Sequence, residues 1–200
     1  MSGGLYYDEA GITIWHGDCR EIAPTLDPRD VRLVLADPPY GAKIKTQYAS
    51  RGRSGTANHV GPGARGKAND YPPVAGDDEP FDPSHLLGFR RVVLWGANHY
   101  ADRLPASSSW LVWNRESGRS ATADAELAWT NLGGTVRMFS YMWNGVCRAG
   151  EKDTHGLHPT QKPVALMRWI IEKYTTPGDL IFDPYVGSGP VLVAAQQLGR

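Results

Sequence analysis

Short apolar runs recur along the chain, and most of them end abruptly at proline, glycine or aspartate. Runs of this length that are rich in Val, Ile, Leu and aromatic residues predict buried β-strands. Pro38 and Pro39 end one such run, because proline has no N–H to donate to a neighbouring strand. On this pattern we expect strands at residues 11–15, 31–36, 91–95, 110–113, 136–143 and 180–182.

Helical periodicity is clearest after Pro163, which suits the first turn of a helix. Val164, Met167, Ile170 and Tyr174 then recur at the spacing of one helix face. Because predicted strands alternate with predicted helices, the sequence favours an α/β sandwich with a largely parallel sheet, formed by a single domain. Further helices are expected at residues 20–26, 123–131 and 191–198, with a short one through residue 101.

The composition is that of an ordinary globular domain, with 200 residues, 41% hydrophobic residues and 21% charged residues. These values exclude a disordered chain, a coiled coil and a collagen-like repeat. Lys and Arg total 21 and Asp and Glu also total 21, so a nucleic-acid contact would need a local basic patch. No apolar run approaches a membrane span and no signal-peptide pattern begins the chain, which indicates a cytoplasmic protein without a membrane partner.

Periodicity disappears between residues 41 and 69, where six basic residues occur without an acidic one. An acidic, proline-rich stretch at residues 70–83 follows and nearly cancels this charge. The basic stretch is expected to be a flexible loop, either solvated without a partner or in contact with DNA phosphates. Its basic residues are Lys43, Lys45, Arg51, Arg53, Arg65 and Lys67.

Neither a metal site nor a catalytic thiol is predicted. His155 and His158 are three residues apart, but Pro159 interrupts any helix there and no cysteine lies beside them. Cys19 and Cys147 are far apart in the chain and are expected to be reduced thiols.

Acidic or glycine-rich segments follow three of the predicted strands. These segments are Gly17-Asp18, Asp37-Pro-Pro-Tyr40, and the stretch from Asp183 to Gly189. Ligands of open α/β sheets bind beyond the carboxyl ends of the strands. We therefore expect Asp18, Asp37 and Asp183 to converge at one edge of the sheet.

The tetrapeptide Asp37-Pro-Pro-Tyr40 has the groups that would hold a planar base with an exocyclic amine. Rigid prolines aim the Asp37 carboxylate and the Pro38 carbonyl at the two amine N–H bonds, and Tyr40 offers an aromatic face for stacking. An ordinary strand-ending turn contains the same residue types. The tetrapeptide alone therefore leaves both interpretations open.

The stretch from Asp183 to Gly189 predicts a strand, a tight turn and a helix start, where a ligand can approach the backbone closely. No Gly-Lys-Ser/Thr follows, so it is not a P-loop, and only Gly187 and Gly189 have the spacing of a dinucleotide fingerprint. It indicates either a nucleotide-like cofactor or a purely structural turn.

In combination, these motifs resemble those of the amino-group DNA methyltransferases that use S-adenosylmethionine. The tetrapeptide precedes the glycine-rich turn, as in the β-ordered members of that family. The segment His158-Pro-Thr-Gln-Lys-Pro163 resembles the motif that precedes their cofactor turn. Trp95-Gly-Ala-Asn98 and residues 125–129 resemble the compact phage-type adenine methyltransferases.

The resemblance implies a role for each matching position. The target base and its amine would be bound by the catalytic residues Asp37, Pro38, Pro39 and Tyr40. S-adenosylmethionine would be bound by Asp18, His158, Thr160, Lys162, Asp183, Tyr185, Gly187, Ser188 and Gly189. Residues 1–150 would form a catalytic half and residues 151–200 a cofactor half. In the family a ribose-binding strand follows the cofactor helix, so the resemblance implies either a truncated C-terminus or a ribose that is held by other residues.

The implied activity is methylation of the N6 amine of an adenine flipped out of double-stranded DNA, in an enzyme of the restriction–modification type. Adenine is favoured because members that methylate cytosine N4 more often have Ser at the position of Asp37. The alternatives are a cytosine-N4 enzyme, a non-catalytic DNA-binding relic, and an RNA or protein methyltransferase. Pro190 departs from the family, which usually has Thr there, and the family is compatible with a homodimer.

Overall fold

The computed structural model describes residues 3–41, 43, 73–116, 123–143, 149–150 and 160–200. Its strands are β1 (Gly4–Glu9), β2 (Ile12–His16), β3 (Val31–Ala36), β4 (Val92–Trp95), β5 (Trp110–Asn114), β6 (Ala125–Thr130), β7 (Arg137–Ser140) and β8 (Leu180–Phe182). Its α-helices are α1 (Cys19–Ile22), α2 (Val164–Tyr174) and α3 (Pro190–Gln197). Short 3₁₀ turns lie at Ala23–Thr25, Ser84–Leu86, Ala97–His99 and Ala101–Arg103.

Six strands form the central sheet, in the order β7-β5-β6-β4-β3-β8. β3 pairs in parallel with both β4 and β8, and β5 pairs in parallel with β7. Only β6 in this sheet is antiparallel to its neighbours, β4 and β5. The predicted α/β fold with a largely parallel sheet is confirmed.

Strand β3 illustrates why the central strands are continuous apolar runs. Leu33 and Leu35 pack on one face of the sheet and Val34 and Ala36 on the other, because successive side chains of a strand point to opposite faces. Helices α2 and α3 cover the first face. The second face is covered by segments without long helices, whose buried side chains include Phe81, Leu86, Phe89 and Tyr100.

The helix predicted at residues 123–131 is wrong, because the structure has strand β6 there. Ala, Glu and Leu favour a helix locally. In the fold, however, Trp129 pairs with Leu94 of β4 on one side and with Trp110 of β5 on the other. Cross-strand packing on both edges therefore outweighs the local preference, as is common for strands.

The N-terminal hairpin of β1 and β2 is separate from the central sheet. Its turn, Ala10-Gly11, has positive φ at both residues (52° and 79°), as a two-residue hairpin turn of type I′ requires. The sequence pattern predicted only β2. Asp18 follows this hairpin strand and caps α1, with its Oδ1 accepting the Arg20 backbone N–H at 2.9 Å. Asp18 therefore does not follow a strand of the central sheet, contrary to the expectation.

The other predicted elements differ from the structure mainly at their ends. The strand expected at residues 136–143 is confined to Arg137–Ser140, and the helix expected at residues 20–26 is α1 followed by a 3₁₀ turn. The short helix expected through residue 101 is a pair of 3₁₀ turns. No helix within the described ranges has the length and apolar character needed to cross a membrane.

The packing of α2 on the sheet gives a stability prediction. Ile170 is fully buried, so Ile170→Ala should lower the free energy of unfolding by about 2–5 kcal/mol through lost burial and a new cavity. Val193→Ala, on the exposed side of α3, should change it by less than about 0.5 kcal/mol. Urea unfolding of both variants measures the difference, and equal losses would contradict the packing described.

Candidate active site

A cavity of about 270 Å³ opens at the carboxyl ends of β3 and β8. Because these strands are parallel neighbours, the residues that follow them, Asp37 and Asp183, meet at the same edge of the sheet. The segment before α2 closes another side of the cavity with Thr160, Gln161 and Lys162. Segments distant in the chain thus form one site.

A buried ion cluster lies at the wall of this cavity. The Lys162 ammonium donates to both carboxylate oxygens of Asp37, each at 2.8 Å, and lies 3.1 Å from Oε2 of Glu126 on β6. The other oxygen of Glu126 accepts a hydrogen bond from Arg115 at 3.2 Å. Two carboxylates and two cations therefore balance one another in charge.

Lys162 is almost completely enclosed, since only 4% of its side chain is exposed. Burial opposes its charge, but the carboxylates of Asp37 and Glu126 outweigh that effect and hold the pKa of the ammonium above its usual range. Asp37 therefore meets a permanently charged partner.

Tyr40 is in contact with two neighbours. Its ring stacks on His99, with centroids 4.6 Å apart and an angle of 7° between the planes. Gly96 has a φ of 67°, and a Cβ added there would lie 2.4 Å from the Tyr40 ring. Burial raises the pKa of the Tyr40 hydroxyl to about 12, so the ring is neutral. One face of Tyr40 is thus already covered by His99.

The glycine-rich turn continues from β8 into α3. The Asp183 carboxylate accepts the Tyr185 backbone N–H at 3.0 Å, which fixes the first residues of the turn. Gly187 and Gly189 both have positive φ, 54° and 79°, and Gly189 is the N-cap of α3. Pro190, the departure from the family pattern, occupies the first turn of α3, where its missing N–H costs no helical hydrogen bond.

Asp183 is a carboxyl group in an unfavourable environment for its charge. Burial raises its pKa from 3.8 to about 7, the hydrogen bond from Tyr185 opposes this shift, and the charge of Asp37 adds to it. Tyr185 has its hydroxyl 3.1 Å from Nε2 of His85, and burial raises its pKa above the ordinary value.

A second cavity, of about 170 Å³, lies between the N-terminal hairpin and β8. It shares Asp183 and Val186 with the first cavity, so the two adjoin at the start of the glycine-rich turn. Most of its lining is apolar. Its lining residues include Ile14, Trp15, Gly17, Cys19, Ile22 and Phe182.

Comparison with known proteins bears directly on the identity of this site. A family model described as DNA methylase, of the N6 and N4 methyltransferases, matches residues 112–200. Two type II methyltransferases match along 98% of this chain and 84% of their own length: M2.LlaDCHI of Lactococcus lactis subsp. cremoris, 22% identical, and M2.DpnII of Streptococcus pneumoniae, 23% identical. These matches support an N6/N4 DNA methyltransferase.

Similar solved structures include the complex of M1.HpyAVI with S-adenosylmethionine, at 20% identity and a TM-score of 0.46 over 92% of this chain and 88% of that one. The structure of TTHA0409 from Thermus thermophilus, a DNA modification methylase by its description, has 15% identity and a TM-score of 0.45 over 92% of this chain and 84% of that one.

The structure of this methyltransferase brings most of the predicted site residues together. Gly189 and Asp18 do not line the first cavity, and the Asp18 carboxylate is instead paired with Arg20, which lowers its pKa to about 2. The residues that do line it are Asp37, Pro38, Pro39, Tyr40, Thr160, Lys162, Asp183, Tyr185, Gly187 and Ser188.

Several predicted contacts lie outside the described residues. Of the six basic residues predicted to contact DNA, only Lys43 is described. It is exposed, and its backbone N–H donates to the Asp77 carbonyl at 3.1 Å. The predictions for His158, Lys45, Arg51, Arg53, Arg65 and Lys67 fall on residues that are not described. Within the described ranges, no group of three or more His, Cys, Asp or Glu side chains could hold a metal ion.

Sequence reasoning missed Glu126, Arg115 and His99. Glu126 was hidden because its segment was interpreted as a helix, whereas on β6 it lies opposite Trp113 of β5. Glu126 is a charged residue among apolar neighbours, in the stretch that resembles the adenine methyltransferases. That pattern could have marked it as a candidate site residue. His99 follows Asn98, and nothing in its spacing indicates a stack on Tyr40.

The close approach of Gly96 to Tyr40 can be tested. Gly96→Ala should destabilise the methyltransferase by about 1–2 kcal/mol from positive φ, with a further loss because the new methyl group collides with the Tyr40 ring. Gly133→Ala is a matched control, since Gly133 has a φ of 72° and open space around it. Thermal or urea unfolding of both variants compares them, and equal destabilisation would argue against the contact.

The environment of Asp183 predicts a pH dependence. The native carboxyl has a pKa of about 7, against 3.8 in the unfolded chain, so the native state binds the proton more tightly. Its ionisation therefore destabilises the fold progressively as the pH rises from about 4 to about 7. Asp183→Asn keeps an acceptor for the Tyr185 N–H but cannot ionise. The free energy of unfolding of the variant, relative to that of the wild type, should therefore be higher at pH 8 than at pH 5. Asp82→Asn, which removes a carboxyl with a lowered pKa, should show no such gain.

Proposed function

We propose that this protein transfers a methyl group from S-adenosylmethionine to the N6 amine of an adenine flipped out of duplex DNA. The observation that carries the proposal is the position of Asp37. Its carboxylate, the prolines that follow and Tyr40 border the same cavity as the glycine-rich turn that begins at Asp183. A base-binding group and a cofactor-binding turn therefore face one space.

The two adjoining cavities suit an elongated ligand with a charged end and a flat ring. S-adenosylmethionine supplies an electrophilic methyl group on a positively charged sulfur, together with an amino acid end and an adenosine end. The first cavity offers the carboxyl of Asp183 and the backbone of Gly187 and Ser188, while the second offers an apolar slot beside Gly17 and Cys19.

One residue at the wall of the first cavity has a buried donor without a partner among the described residues. The indole Nε1 of Trp95, which lines the cavity, is fully buried and has no hydrogen-bond partner among the described residues. A buried donor left unpaired is costly and uncommon in native proteins. Because this atom is inaccessible to solvent, a molecule in the cavity could reach it only after neighbouring side chains had moved.

Asp37 and Pro38 act on the nucleophile. The amine lone pair of adenine is delocalised into the ring, so hydrogen bonds from its N–H groups to the Asp37 carboxylate and the Pro38 carbonyl favour a localised, tetrahedral nitrogen. The N–C bond forms as the C–S bond breaks, and the electron pair of the C–S bond stays on the sulfur. Asp37 stabilises the positive charge that the nitrogen carries until it loses a proton. Positioning and electrostatics then provide most of the acceleration.

Tyr40 receives the flipped base. Extrusion of a base from a duplex costs a few kcal/mol. Stacking on an aromatic ring returns about 1–3 kcal/mol of that cost. The stack of Tyr40 on His99 fixes the ring before the base arrives, so little ordering is needed on binding.

The basic stretch supplies contacts to the DNA backbone in this proposal. Each phosphate contact changes the slope of log binding constant against log salt by roughly 0.9. Lys43, the described member, lies three residues after Tyr40 and is exposed. The contacts are assigned to Lys43, Lys45, Arg51, Arg53, Arg65 and Lys67.

The proposal predicts the behaviour of Asp37→Ala. Methyl transfer to duplex DNA should fall by at least about 10²-fold, because one preorganised acceptor worth roughly 2.7–4 kcal/mol is lost. The dissociation constant of S-adenosylmethionine should change much less, because the cofactor is assigned to Asp183 and the turn behind it. Transfer of labelled methyl groups and isothermal titration measure the two quantities.

Mass spectrometry of the nucleosides from methylated DNA identifies the target. N6-methyladenine is the expected product, and N4-methylcytosine in its place would establish the cytosine alternative. A wild-type protein that binds S-adenosylmethionine and duplex DNA but transfers no methyl group would instead be a non-catalytic relic. Full activity of Asp37→Ala would show that the role assigned to the tetrapeptide is wrong.

A further inference from the structure

We propose that Glu126 is a positioning residue that shares Lys162 with Asp37, so that Lys162 can release an Asp37 oxygen to the target amine and still keep a counter-ion. This inference rests on the proposed function, in which Asp37 accepts an N–H of the amine. Glu126 lies on β6, the antiparallel strand of the central sheet, outside the tetrapeptide and the glycine-rich turn.

The geometry creates a competition for Asp37. Lys162 donates to both Asp37 oxygens, each at 2.8 Å. A target amine that donates to Asp37 must therefore take one of these oxygens or share it with the ammonium. Lys162 has to yield part of this contact when the base enters.

Glu126 lowers the free-energy cost of that movement. The Lys162 ammonium is already 3.1 Å from Oε2 of Glu126. An ammonium that is 4% exposed and loses its partner would be an uncompensated buried charge, which is strongly destabilising. With Glu126 in place, the Lys162 ammonium can move toward a second carboxylate and stays paired while the base enters.

Glu126 is itself held in place from the opposite side. Its Oε1 accepts from Arg115 at 3.2 Å, and Nε of Arg115 donates to the Trp143 carbonyl at 3.1 Å. The guanidinium also lies 5.3 Å from the Trp113 ring centroid. Because Arg115 is held by the Trp143 carbonyl and the Trp113 ring, Glu126 offers Lys162 a stationary acceptor.

The charges of the cluster make the proposal testable. Asp37 and Glu126 approach the same nitrogen, so their nearest oxygens lie within roughly 6 Å, where like charges repel. Removal of Lys162 leaves the two carboxylates facing each other. Removal of the Glu126 charge commits Lys162 to Asp37. Described ionisable groups that interact with the charge of Asp37 also include Asp183, Tyr40 and Tyr100.

The experiment compares Glu126→Gln, Lys162→Met and the double variant. Glu126→Gln should lower kcat/KM for duplex DNA about tenfold, because Lys162 now holds Asp37 more tightly, and should move the acid limb of the pH–rate profile to lower pH. The dissociation constant of S-adenosylmethionine should stay unchanged. Lys162→Met should move the acid limb to higher pH, because the two carboxylates then repel each other.

The double variant is decisive. Adding Glu126→Gln to Lys162→Met removes the repulsion, so it should return the acid limb toward its wild-type position and restore part of the lost activity. The proposal would be overturned if the two single-variant losses in kcat/KM multiplied in the double variant and the acid limb moved in none of the three variants. Glu172→Gln and Lys173→Met, exposed on α2, make the same charge changes away from the site and should leave the profile unchanged.

A readout without catalysis separates this proposal from the proposed function. The titration midpoint of the Asp37 carboxyl, followed by ¹³C NMR in the free protein, should fall in Glu126→Gln and rise in Lys162→Met. These shifts would support the shared ammonium even if the wild type transferred no methyl group, which would defeat only the proposed function. If Lys162→Met does not fold, an unchanged midpoint in Glu126→Gln still overturns the proposal.

Discussion

The parallel pairing of β3 with β8 is the constraint on which the site depends. The pairing puts the carboxyl ends of the two strands at the same edge, so that Asp37 and Asp183 line one cavity although they lie far apart in the chain. Both strands are packed on α2 and α3, and the register cannot slip by one residue without turning Leu33 and Leu35 away from that face. Core packing therefore fixes the geometry of the polar groups.

Two carboxyl groups at one edge create an electrostatic problem that the fold treats differently at each position. Asp37 is given a buried ammonium at 2.8 Å, whereas Asp183 accepts a backbone N–H and has its pKa raised by burial to about 7. A paired carboxylate serves as a permanent acceptor for an amine. A carboxyl that is poised near neutrality gains most from a ligand that brings positive charge. The same edge thus offers two chemically distinct acids.

Residues whose environment is local were predictable from the sequence, and those that depend on distant pairing were not. The bounds of β3 and β8 agree with the apolar runs at residues 31–36 and 180–182, because Asp37 and Asp183 end them. The segment of β6 has helix-forming residues, and its strand structure comes from β4 and β5 on either side. Glu126 was missed for the same reason. The strand before Asp18 was assigned to the wrong sheet, because the sequence does not tell which sheet a short strand joins.

The arrangement around Tyr40 indicates how the fold prepares for a planar ligand before one is bound. Gly96 at φ 67° gives up side-chain packing, and His99 covers one face of the ring. The close Gly96 backbone and the His99 stack immobilise Tyr40 at the wall of the cavity that Asp37 also lines. A flexible tyrosine would have to be ordered when the base arrives, at the expense of binding free energy. Under the proposed function, the stacking energy of a ring that is already fixed by the fold remains available to offset extrusion of a base from the duplex.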